Sequence, residues 1–77
     1  MFYTIKVIDN EKVIDERYFR TKNNAELTFR LLGDELRKLG QDRLIIYDDT
    51  DKVKRYCYSG KVDYTIITLE EVDFADD

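Results

Sequence analysis

Asn23-Asn24-Ala25-Glu26-Leu27-Thr28-Phe29-Arg30-Leu31-Leu32-Gly33-Asp34-Glu35-Leu36-Arg37-Lys38-Leu39-Gly40 is the stretch that decides the fold. Within it Ala25, Phe29, Leu32, Leu36 and Leu39 recur at spacings of four, three, four and three, which is the repeat of one helix face. Asn23 is placed to cap the start, with Glu26 three residues on as in a capping box. Arg37 and Lys38 suit the negative end of the helix dipole, and Gly40 stands where a C-terminal stop is expected. Gly33 costs about 1 kcal/mol relative to alanine inside a helix, so it marks a close approach to the sheet or is merely tolerated. Leu27 and Leu31 run beside the main stripe and are expected to widen the buried face.

On the N-terminal side, Phe2 to Ile8 alternates and is rich in β-branched and aromatic residues, the pattern of a strand. Asp9-Asn10-Glu11 is a polar turn, and Lys12 to Arg20 forms a second strand, joined to the first as an antiparallel hairpin. Its apolar residues Val13, Ile14, Tyr18 and Phe19 do not alternate cleanly, which suggests a bulge. On the C-terminal side three further strands are expected over Arg43–Tyr47, Val53–Tyr58 and Val62–Leu69. Asp48-Asp49-Thr50-Asp51 and Ser59-Gly60-Lys61 are the turns between them, Gly60 standing where a hairpin needs a positive φ. Such short links make antiparallel neighbours.

The order is ββαβββ: an α+β domain with one helix packed on one face of a mainly antiparallel sheet. Residues 1–70 form the compact domain, and 71–77 are an acidic, fraying tail. A helix of this length reaches only about 24 Å and covers one sheet face, so the other meets water or a partner. Alternation leaves two phases open for that bare face: Tyr47, Tyr56, Tyr58 and Thr65, or Cys57, Tyr64 and Ile66.

Composition limits the chemistry. Among 77 residues there is no His, which removes the commonest general base, the commonest zinc ligand and the partner of Ser and Cys nucleophiles. Cys57 stands alone in a tyrosine-rich strand and reads as a small packing residue. It cannot form an internal disulfide, and with no signal-like N-terminus and no long apolar run the expected setting is the cytoplasm, away from membranes. No catalytic, metal or cofactor residue is therefore assigned. The turn Asp48-Asp49-Thr50-Asp51 lacks the glycine and closing glutamate of an EF-hand, so it reads as a solvated acidic turn and a metal-dependent enzyme ranks last.

Charge points to binding. Residues 1–47 hold 9 Lys/Arg against 8 Asp/Glu, a net +1, whereas residues 48–77 hold 4 against 9, a net −5. The leading expectation is a small acidic module whose residues Asp48, Asp49, Asp51, Asp63, Glu70, Glu71, Asp73 and Phe74 engage a basic protein. By compositional analogy with small phage or mobile-element inhibitors, this includes mimicry of nucleic acid. The alternative is direct nucleic-acid binding through Lys52, Lys54, Arg55, Tyr56, Tyr58 and Lys61, where cations flank tyrosines able to stack on bases. Pairing of two copies through the bare face or an edge strand is a companion expectation.

Overall fold

The computed structural model describes residues 1–72. The elements follow the expected order: β1 (Phe2–Asp9), β2 (Lys12–Phe19), α1 (Lys22–Lys38), β3 (Arg43–Asp49), β4 (Val53–Ser59) and β5 (Tyr64–Val72). The five strands form one antiparallel sheet in the order β2-β1-β5-β4-β3, with α1 packed on one face. This is the α+β architecture read from the sequence. The strand β5 runs on to Val72, two residues into the stretch expected as tail, because Tyr3 and Phe2 of β1 pair with Glu71 and Val72.

The hairpin β1–β2 carries the expected bulge. Val7 pairs with Asp15 and Ile8 with Val13, so Ile14 is the additional residue. A second irregularity falls in β3, where Ile46 pairs with Tyr56 and Asp48 with Arg55, leaving Tyr47 over.

The helix differs from expectation at its start. Its cap is Thr21, in extended conformation (φ −120°, ψ 146°), whose hydroxyl accepts a hydrogen bond from the Asn24 N–H at 3.3 Å. Asn23 thus lies inside the first turn, and Glu26 is too far along to complete a capping box. The C-terminus closes as expected: Gly40 has φ +98°, its N–H donates to the Arg37 carbonyl at 3.0 Å, and the Gln41 N–H donates to the Leu36 carbonyl at 2.9 Å.

Ile5, Ala25, Phe29, Tyr58, Ile67 and Leu69 make the core, with Tyr3, Val7, Phe19, Leu32, Leu36, Leu44 and Tyr56 packed around it. Leu27 and Leu31 do not widen the buried face. They are about half exposed on the outer side of α1, because Ala25, Phe29, Leu32 and Leu36 alone supply the stripe toward the sheet. Leu39, placed by spacing in that stripe, is exposed at the helix C-cap.

Gly33 does mark a close approach, since a Cβ there would lie 2.8 Å from Cζ of Tyr58. Gly60 has a different role from the one expected. Its φ is not positive; a Cβ on it would instead press against the Gly40 carbonyl oxygen at 3.0 Å, where the β4–β5 link passes the end of α1.

Candidate functional site

Register and core membership together settle the faces. Tyr56, Tyr58 and Thr65 turn toward the helix side, and Cys57, Tyr64 and Ile66 toward the side without a helix. On that bare face the paired residues line up across the strands. Val13, Ile8, Ile66, Cys57 and Ile45 form an apolar row through all five strands. One row along lie Glu16, Lys6, Thr68, Arg55 and Asp48, whose charges run −, +, 0, +, −. The next row is Tyr18, Thr4, Glu70 and Val53.

The bare face is not flat. Thr4 and Thr68 are short side chains set among longer ones, and both are buried, with side-chain oxygens that find no hydrogen-bond partner among the described residues. A depression of about 200 Å³ opens above Thr4, bordered by Lys6, Glu16, Tyr18, Glu70 and Val72. Tyr18 donates its hydroxyl to Glu16 at 2.6 Å, and that hydrogen bond, followed by the carboxylate charge, raises its pKa.

The acidic residues named from the sequence separate into groups. Asp48, Asp49, Asp51, Glu70 and Glu71 gather at one end of the sheet, held together by a backbone hydrogen bond from the Glu71 N–H to the Lys52 carbonyl at 2.9 Å. Asp48 and Glu70 belong to the bare face, while Asp49 and Glu71 fall on the helix side. Asp63 lies in the β4–β5 link at the opposite end of β4, and Asp73 and Phe74 lie outside the described residues. The turn beside this acidic end is built by Thr50, whose hydroxyl accepts from the Val53 N–H at 3.0 Å and donates to the Val53 carbonyl at 3.1 Å. Its carboxylates take no part in that scaffold. Among the described residues no three carboxylates converge as a metal-binding group.

The basic-aromatic set is not brought together. Strand alternation sends Arg55 to the bare face and Lys54, Tyr56 and Tyr58 to the helix side, and Lys61 sits in the distant β4–β5 link. Lys52 is exposed in the turn before β4. Tyr58 is only 5% exposed, packed beneath α1, and offers no ring to a base. Lys54 is held by Asp49 at 3.2 Å; burial lowers its pKa, but the hydrogen bond and charge of Asp49 outweigh this and raise it.

Sequence reasoning did not find the cleft of about 290 Å³ between α1 and the β3–β4 side of the sheet. Its floor is aromatic, with Phe29 and Tyr56 edge to face at 4.9 Å. Its rim mixes Glu26 and Asp34 with Arg30, Arg37 and Lys54. Arg37 is already engaged, standing 4.0 Å from Asp34 and 5.8 Å above the Tyr58 ring. Such a cleft depends on where a helix leans over a sheet, which no sequence pattern reports.

No described helix is long and apolar enough to cross a membrane. Compared with known proteins, the chain matches no family model, no curated protein and no solved structure.

Proposed function

We propose that this chain is a small, non-catalytic interaction module that takes a basic protein partner on the bare face of its sheet, with the acidic end of that face selecting for charge. One observation carries the reading: the apolar row Val13, Ile8, Ile66, Cys57, Ile45 crosses the whole sheet with no helix over it among the described residues, and Asp48 and Glu70 lie one and two rows away. Apolar surface with a polar, charged border is the anatomy of a protein interface. The carboxylates add selectivity and association rate more than affinity, because they stay near water. Lys52, Lys54 and Arg55 offset part of the charge of Asp48, Asp49, Asp51, Glu70 and Glu71, so the attraction is local.

A partner whose basic surface serves nucleic acid would be blocked by this contact, which makes an inhibitor of the nucleic-acid-mimic type the specific form of the proposal. The test is capture of partners from the source cell by the wild-type chain, by Ile66→Glu, and by a triple Asp48→Asn, Asp49→Asn, Asp51→Asn variant, each checked for folding by circular dichroism. The expected result is a basic partner lost with Ile66→Glu, weakened by the triple variant, and released as salt rises. A partner retained equally by all three chains rejects the proposed surface, and binding of labelled oligonucleotides to the isolated chain at low salt would replace it with direct nucleic-acid recognition.

A further inference from the structure

The helix does not sit centrally on its sheet. It packs chiefly on β5 and β1 and touches β4 less, so the helix side of β4 and β3 stays open beside it among the described residues. The cleft of about 290 Å³ is that opening, and it is ordered along its length. At one end Glu26 acts on Lys54, which Asp49 already holds at 3.2 Å. In the middle Tyr56 and Phe29 meet edge to face, with Arg30 on the helix wall. At the other end Tyr58 lies under Arg37, and Asp34 stands 4.0 Å from that guanidinium.

Two groups in this cleft keep hydrogen-bonding capacity that the described residues leave unused. Tyr58 is only 5% exposed, yet its hydroxyl has no hydrogen-bond partner among them, and the cleft is where this buried residue opens outward. A buried phenol ordinarily finds a partner. The missing Cβ of Gly33 lets that hydroxyl stand against the backbone of α1, one helical turn from Arg30 and one from Arg37. Arg30 brings a guanidinium with five donors and has neither an ion pair nor a hydrogen bond among the described residues. At 4.0 Å Asp34 is too distant to hydrogen-bond Arg37, so donors of Arg37 are free as well. Two guanidinium groups against one carboxylate leave this end of the cleft at +1, whereas Lys54 between Glu26 and Asp49 leaves the other end at −1.

We propose that the cleft is a binding site for a small planar aromatic carboxylate, its ring lying against Tyr56 and Leu44 and its carboxylate accepting from Tyr58, Arg30 and Arg37. The aromatic floor calls for a flat apolar body. The volume lies at the small end of ligand sites, about 300–1,000 Å³, and restricts that body to one or two rings. A single negative charge matches the +1 of the donor end, while a phosphate dianion would exceed it and meet the carboxylates of Asp34 and Glu26 at the rim. The site lies on the opposite side of the sheet from the apolar row of Ile8, Ile66 and Cys57, so it is independent of the protein partner proposed above.

The test is titration of the isolated full chain with naphthalene-2-carboxylate, followed by backbone amide shifts in NMR, with naphthalene-2-carboxamide as the uncharged probe of the same shape. The carboxylate is expected to saturate, to move the amides of Phe29, Gly33, Leu44 and Tyr56, and to bind at least about tenfold more tightly than the carboxamide. Arg30→Gln and Tyr58→Phe are each expected to weaken the carboxylate by about tenfold and to leave the carboxamide unchanged. Asp34→Asn is expected to tighten the carboxylate, because it removes the rim charge that competes for Arg30 and Arg37. Arg30 and Asp34 are exposed, so these two variants change charge without disturbing the core. Ile66→Glu, on the bare face, is expected to bind as the wild type does. Absence of saturation up to the solubility limit of the probe overturns the proposal. So do equal affinities for the two probes, a carboxylate affinity indifferent to both Arg30→Gln and Asp34→Asn, or binding lost with Ile66→Glu.

Discussion

Gly33 and Tyr58 occupy each other's space: the phenol end of Tyr58 reaches the backbone of α1 where any Cβ on residue 33 would stand, 2.8 Å from the ring carbon Cζ. The tyrosine is buried at the core's edge, with Arg37 over its ring and Tyr56 beside it at 6.5 Å. Gly33 therefore has a steric reason, and alanine there sets two effects against each other. Helix propensity gains about 1 kcal/mol, whereas overpacking a closely fitted site costs about 1–3 kcal/mol. Gly33→Ala is expected to lower unfolding free energy in urea by about 1 kcal/mol, and less in a Tyr58→Phe background, where the hydroxyl is gone. A stabilised Gly33→Ala chain would mean that the ring yields freely into the neighbouring cleft.

Burial of Tyr58 and Tyr56 has a consequence in alkali. Loss of solvent around each phenol raises its pKa above 10.0, Arg37 opposing the shift at Tyr58 and Lys54 opposing it at Tyr56. A raised folded pKa means that the unfolded chain ionises first. Stability is full below about pH 10 and falls as pH rises from there, until the folded phenols ionise as well. Urea midpoints measured across the range from neutral to strongly alkaline pH are expected to decline at the alkaline end, and the decline is expected to be shallower in Tyr58→Phe. An identical slope in the two chains would show that other groups govern alkaline unfolding.

The helix and the three hairpin links are legible in the sequence because each is local: a 3.6-residue repeat, a glycine stop, polar residues between β-rich runs. The cap is not, because Thr21 and Asn23 both qualify by type and only backbone conformation separates them. Strand order is not legible at all. It depends on β1 and β5 meeting across more than about fifty intervening residues, and nothing in either strand's own pattern specifies the other. That one pairing puts β3 at an edge, puts β4 inside, and fixes which phase of β4 lies under the helix. The acidic residues named together from the sequence are therefore not all neighbours: Asp48 and Glu70 share a face, while Asp63 lies at the far end.

Thr68 stands in the charged row between Lys6 and Arg55, yet its hydroxyl is buried without a partner among the described residues. An unsatisfied buried hydroxyl costs more than a methyl group of the same shape, and valine keeps the β-branched form that suits a strand. Thr68→Val is expected to stabilise the chain by about 1 kcal/mol in urea unfolding. A loss of stability would show that the hydroxyl is satisfied by solvent in the native state.

The two-residue turn of the β1–β2 hairpin places both Asn10 and Glu11 in the left-handed region, at φ 52° and 64°, between the paired residues Asp9 and Lys12. Asparagine tolerates that conformation, but glutamate has a Cβ crowding the carbonyl at a cost of about 1–2 kcal/mol. Asn-Gly is the pair such turns favour. Replacing Glu11 by glycine removes the crowding and loses part of the gain to the greater freedom of glycine in the unfolded chain, so Glu11→Gly is expected to stabilise by about 0.5–1 kcal/mol. Glu11→Ala separates backbone strain from charge, since alanine removes the carboxylate and keeps the Cβ. It is expected to leave the urea midpoint unchanged while Glu11→Gly raises it; equal stabilisation by both would assign the effect to the lost charge beside Asp9.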